Sequence, residues 1–88
     1  MAETWWVYFL ECRGGSLYIG IARDAQKRYA QHVRGKGAKY TRMNPPVRLL
    51  GAKHYPNHAE AARAEVDFKR LPTHEKWRWV AGLFRIID

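Results

Sequence analysis

Glu65 is the residue with most to say about chemistry. It sits in a run whose apolar positions are Ala61, Ala62, Ala64, Val66, Phe68 and Leu71, and on a helical wheel it falls among them. A carboxylate on such a stripe faces the body of the protein, where its charge needs a partner. That partner is either an Arg or Lys in an ion pair, or a cation. Mg²⁺ asks for only one or two protein carboxylates, because water and substrate phosphates complete its shell. Arg28 and His32 are four residues apart and point the same way from one helix. The guanidinium fork matches a phosphoryl oxygen, and an imidazole titrating near neutrality relays a proton or donates to phosphate. Tyr8 and Tyr18 bring two phenols, whose ordinary place in a strand is the core with the hydroxyl satisfied. Gly20 is two residues beyond Tyr18 and on the same sheet face, so its missing side chain is expected to leave room for a ligand.

These groups need elements to hold them. Trp5 to Leu10 is aromatic and β-rich without polar alternation, which predicts a strand covered on both faces. Arg13-Gly14-Gly15-Ser16 is turn chemistry, and Leu17 to Ile21 reads as the returning strand of a hairpin. Asp24 caps a helix in which Ala25, Tyr29 and Val33 share one stripe. Gly35 and Gly37 end it and open a loop running to Pro45-Pro46, and Val47 to Tyr55 predicts a third strand. Asn57 with Glu60 forms a capping pair for a second helix, which Pro72-Thr73 breaks. A third follows, with Trp77, Val80, Ala81 and Phe84 on its inner face and Trp79 on its outer one. The expected fold is an α/β (α+β) sandwich, one domain over residues 1–88. Its three-stranded antiparallel sheet is flanked by helices in the order β-β-α-β-α-α.

Charge narrows the partner. The 88 residues hold 16 Lys and Arg against 8 Asp and Glu, a net charge of +8. The excess is local: from Arg23 to Lys53 there are nine basic residues and one acid, Asp24. Gly35, Gly37, Tyr40 and Thr41 lie within that block and add mobile backbone, an aromatic face and a hydroxyl, a combination suited to nucleic acid. No strongly apolar helix face accompanies the charge, which argues against a membrane surface. The single cysteine, Cys12, excludes an internal disulfide and a cysteine zinc site. The longest apolar run is too short to span a bilayer and lacks the flanks of a signal peptide, so a soluble, cytoplasmic protein is expected.

Taken in order, Val7-Tyr8, Tyr18-Ile19-Gly20, Arg28, His32 and Glu65 resemble a GIY-YIG nuclease domain. Gly35 to Arg42, Pro46 to Leu49, Glu60 to Glu65 and Lys69-Arg70-Leu71 are similar to small single-domain bacterial proteins of that kind. The resemblance implies a catalytic set of Tyr8, Tyr18, Arg28, His32 and Glu65. Tyr8 would handle the attacking water, Arg28 the scissile phosphate, and Glu65 one Mg²⁺ or Mn²⁺ ion. Two departures stand out. Trp6 takes the place of the first motif's glycine, and Ile21 that of a lysine found after the second motif in some repair nucleases. The base is then activated differently, by His32 or by Arg28, with nearby cations depressing a tyrosine pKa.

Nucleic-acid contacts are expected from Arg23, Lys27, Lys36, Lys39, Tyr40, Arg42 and Lys69. The expected function is metal-dependent hydrolysis of phosphodiester bonds, in DNA rather than RNA, in repair or recombination. The rivals are a non-catalytic nucleic-acid-binding module and a partner-docking protein that uses an exposed Trp79.

Overall fold

The computed structural model describes residues 4–87, with side chains as far as Gly82. Three strands, β1 (Trp5–Cys12), β2 (Leu17–Ala22) and β3 (Pro46–Tyr55), form one antiparallel sheet in the order β2-β1-β3. β1 is therefore the central strand, which explains its unbroken apolar run: Val7, Tyr8, Phe9 and Leu10 are all buried. The β1–β2 hairpin turns at Gly14 and Gly15, whose φ angles of 87° and 84° suit glycine.

Four helices surround the sheet: α1 (Ala25–Val33), α2 (Lys39–Met43), α3 (His58–Arg70) and α4 (Thr73–Ile87). The caps form as the residue types require. Asp24 accepts from the Lys27 amide at 3.0 Å. Asn57 accepts from the Glu60 amide at 2.9 Å while its own amide group donates to the Glu60 carboxylate at 3.2 Å, a reciprocal box.

Period-two alternation sends β1 side chains to two different environments. Val7 and Phe9 pack with Ile19, Leu50, Ala61, Phe68 and Val80, under α3 and α4. Tyr8, Leu10 and Cys12 point the other way, toward Tyr18, Ala25, Tyr29 and Leu49 under α1. Each fully buried side chain of this size contributes about 1.5–3 kcal/mol.

Three expectations need correction. The segment after Gly35 is not wholly a loop, because Lys39–Met43 forms a short helix. Trp79 does not stand on the outer side of α4. Its ring lies 4.4 Å from Phe68 and 6.3 Å from Phe9, and Lys53 covers it at 4.9 Å. Ala81 is exposed rather than on the inner face of α4. Phe84 lies outside the described side chains. Among the described residues no helix is long and apolar enough to cross a membrane.

Candidate active site

The site is built on the α1 face of the sheet. Tyr8 comes from the central strand and faces Gly20 across the β1–β2 register. That pairing needs glycine: a Cβ at Gly20 would sit 2.5 Å from the Tyr8 oxygen. The space expected for a ligand beside Gly20 is thus filled by the phenol itself. The Tyr8 Oη lies 2.7 Å from His32 Nε2. His32 Nδ1 in turn lies 2.7 Å from Thr41 Oγ1, and the Thr41 hydroxyl donates to the Ala38 carbonyl at 2.9 Å. Tyr8, His32 and Thr41 are each 1% exposed.

Local structure explains how α1 and α2 close on this row. α1 ends with Gly35 at φ 76°, the Gly35 amide donating to His32 O and the Lys36 amide to Gln31 O. This is the paired bonding of a left-handed glycine cap. The chain turns back, and the Gly37 backbone lies directly on the His32 ring, where any Cβ would collide with Nδ1 and Cε1. α2 follows and delivers Thr41 to the inside and Tyr40 to the outside.

The other expected residues gather around this row. The Tyr18 ring lies 6.3 Å from Tyr8 and 5.2 Å from His32, and Tyr40 stacks on Tyr18 at 5.8 Å with planes 22° apart. Exposure rises along that series, from buried Tyr8 through half-buried Tyr18 to Tyr40 at 40%. Arg28 donates to Gln31 Oε1 at 2.8 Å, and its charge pulls the Tyr8 pKa down. Glu65 is close enough for its charge to act on Tyr8 as well.

Electrostatics correct one expectation. The Tyr8 pKa is not depressed but pushed up to about 12. Burial is the largest cause and Tyr18 adds to it, together outweighing the opposing pull of Arg28. His32 is pushed down from its ordinary 6.5, first by burial and then by Arg28, so it is neutral at pH 7. Free Tyr8 phenolate at pH 7 is about one part in 10⁵, whereas a neutral imidazole in contact with the phenol is always present.

Glu65 differs from the fully inward carboxylate expected. Its side chain is 21% exposed and pairs with Lys69 Nζ at 3.3 Å, Lys69 being 51% exposed. A pair at this spacing and exposure is worth about 0.3–0.5 kcal/mol and is easily displaced. Among the described residues no three His, Cys, Asp or Glu side chains gather into a metal-binding group. One accessible carboxylate with a loosely held partner fits Mg²⁺ or Mn²⁺, which take most of their ligands from water and phosphate.

Arg23, Lys27, Lys36, Lys39, Arg42 and Lys69 are all exposed. Lys36, Lys39 and Arg42 flank Tyr40 on the turn and on α2, whereas Arg23 and Lys27 stand at the start of α1.

A model of the GIY-YIG catalytic domain matches residues 4–76. The chain belongs to the GIY-YIG family. It is 50% identical over 85 residues to a UPF0213 protein of Xanthomonas axonopodis pv. citri, covering 97% of this chain and 83% of that protein. It is 48% identical over 81 residues to a UPF0213 protein of Cupriavidus pinatubonensis, covering 92% and 90%. The solution NMR structure of the UPF0213 protein BH0048 from Bacillus halodurans is 41% identical, with a TM-score of 0.57 over 89% of this chain and 83% of that one. In this GIY-YIG domain Tyr8 and Tyr18 face the same cluster. Reading residues alone placed Gly37 and Thr41 on a nucleic-acid surface, whereas the structure buries the Thr41 hydroxyl against His32 and lays Gly37 on the same ring. The available signal was Thr41 nine residues after His32 with two glycines between them.

Proposed function

We propose that residues 1–88 act as one divalent-metal-dependent nuclease domain hydrolysing phosphodiester bonds, with DNA as the substrate, in repair or recombination in the cytoplasm. The observation that carries this reading is the buried 2.7 Å contact between Tyr8 Oη and His32 Nε2, with Arg28 and Glu65 both acting on the same phenol.

A phenol with a pKa of about 12 does not serve as a free base at neutral pH. In contact with neutral His32 it does not need to ionise first. As water attacks phosphorus, its proton moves to the Tyr8 oxygen and the Tyr8 proton moves to His32 Nε2. The P–O bond to the leaving oxygen breaks, and that oxygen takes a proton from solvent. The water approaches from the side of Arg28 and the half-buried Tyr18. Arg28 holds a non-bridging oxygen and offsets the charge that builds there. Glu65 would hold Mg²⁺ or Mn²⁺, which supplies charge stabilisation at the phosphoryl and leaving oxygens. Lys36, Lys39 and Arg42 hold the flanking backbone, and Tyr40 offers an aromatic face to a base. Arg23, Lys27 and Lys69 add to the cationic surface.

The test is cleavage of single-stranded, double-stranded and branched DNA, and of RNA, with and without Mg²⁺ or Mn²⁺. Glu65→Ala is expected to abolish metal-dependent cleavage while leaving binding largely intact. Undiminished cleavage in that variant refutes the role of Glu65. Steeply salt-dependent binding with no cleavage under either metal would mark a non-catalytic binding module instead.

A further inference from the structure

The row Tyr8–His32–Thr41–Ala38 ends on a group of fixed polarity. At one end stands the Tyr8 hydroxyl, on whose oxygen the Arg28 charge acts. At the other end the Ala38 carbonyl, which receives the Thr41 hydroxyl at 2.9 Å, only accepts. With the Thr41 hydrogen committed to Ala38, its oxygen can only accept from His32 Nδ1 at 2.7 Å. A neutral imidazole carries one N–H, so Nε2 is then bare and the Tyr8 hydroxyl donates to it. The opposite direction would have Nε2–H donating to Tyr8, leaving the phenol hydrogen without an acceptor in the row. All four groups are satisfied when the bonds run from Tyr8 to Ala38.

We infer that Thr41 is a positioning residue for the reaction: its hydroxyl holds His32 in the Nδ1–H tautomer, so that a bare Nε2 faces the Tyr8 hydroxyl. Gly37 is the second half of the device. Its backbone presses on the imidazole where no Cβ would fit, which keeps the ring from turning over. α2 thereby acquires a reason to exist at only five residues: it carries one hydroxyl into a buried slot beside α1. The inference rests on the reading that His32 takes the Tyr8 proton, but the tautomer can be observed whether or not the protein cleaves anything. The groups facing His32 are Tyr8 from β1, Tyr18 from β2, Arg28 from α1 and Thr41 from α2.

The experiment is ¹⁵N NMR of the imidazole nitrogens in the full chain at pH 8, where His32 is neutral, with its signals assigned by their loss in His32→Gln. The wild type is expected to show Nδ1–H with Nε2 bare. Thr41→Val, which keeps the shape and removes the acceptor, is expected to shift the population toward Nε2–H, and Thr41→Ser to restore the wild-type pattern. In the cleavage assay Thr41→Val should lower kcat about 10- to 100-fold, the usual loss when the partner orienting a functional histidine is removed, with KM unchanged. Thr41→Ser should recover it.

An Nε2–H tautomer in the wild type overturns the inference, as does a Thr41→Val protein with unchanged tautomer and unchanged kcat. If Thr41→Val does not fold, wild type and Thr41→Ser still decide, because Nε2–H in either contradicts it. A Thr41-dependent Nδ1–H tautomer in a protein without nuclease activity would sink the proposed function and leave the positioning role standing.

Discussion

The two faces of the sheet share one strand and use burial in opposite ways. Toward α3 and α4, β1 sends Val7 and Phe9 into a cluster of purely apolar side chains. Toward α1 and α2 it sends Tyr8, whose hydroxyl meets the buried His32, which in turn meets the buried Thr41. Apolar contacts are non-directional and add roughly with area, so the first face tolerates modest changes of shape. Buried polar groups hold only if every donor finds its acceptor, so the second face specifies direction. In a domain of this size the apolar face supplies the stability that lets a row of polar groups stay buried.

The largest expected effect tests the polar face. His32→Gln removes the proton acceptor for Tyr8 and should lower kcat by about 10²- to 10⁴-fold, with binding of nucleic acid retained. A kcat within a few-fold of wild type would show that this face is only packing. Next comes the apolar face. Phe9→Ala, measured by urea unfolding, should cost about 3–5 kcal/mol. That is a large part of the roughly 4–13 kcal/mol typical of a domain this size. Its kcat per folded molecule should stay near wild type, since Phe9 points away from Tyr8.

The pH dependence separates the faces more gently. His32 titrates below 6.5 in the folded protein, so activity should be level at neutral pH and fall as pH drops through that lowered pKa. Stability has the same sign. Between the folded pKa and 6.5 the unfolded chain binds more protons, so the contribution of His32 is full above 6.5 and is lost as pH falls through the window. Tyr8 acts at the other limit: with a folded pKa of about 12 against 10.0, its contribution is full below pH 10 and is lost toward 12. Activity or stability increasing below pH 6 would contradict the neutral, buried His32. The smallest effect belongs to the rim. Lys69→Ala breaks an exposed pair and should change unfolding stability by less than about 0.5 kcal/mol, and the Mg²⁺ concentration for half-maximal cleavage should not rise. A larger loss of stability would mean that Glu65 is tied to the fold rather than available to a cation.

Much of the frame was legible from residue types. The hairpin followed from Gly14-Gly15 between two β-rich runs, and the helix starts from Asp24 and from Asn57 with Glu60. These signals are local, and the physics that reads them is local too. α2 escaped because five residues carry no measurable periodicity, and Ala38 offers no side-chain cap to announce it. Trp79 was misplaced because a wheel drawn for one helix cannot show that Phe9, Phe68 and Lys53 converge on it. The candidate residues Tyr8, Tyr18, Arg28 and His32 could be chosen from order and type, but the hydrogen-bonded connection of Tyr8 to His32 could not. It depends on Gly37 and Thr41 reaching back onto α1, and the raised Tyr8 pKa depends on burial that no single segment reveals.

The most direct test of the account is a single-turnover cleavage rate for Tyr8→Phe beside wild type, at saturating Mg²⁺ and pH 8. The change removes one oxygen and keeps the ring that packs against Gly20. A rate lower by about 10²-fold or more, in a protein that still folds and binds, is the predicted result; cleavage at the wild-type rate would contradict the claim that the buried phenol and its histidine carry the proton.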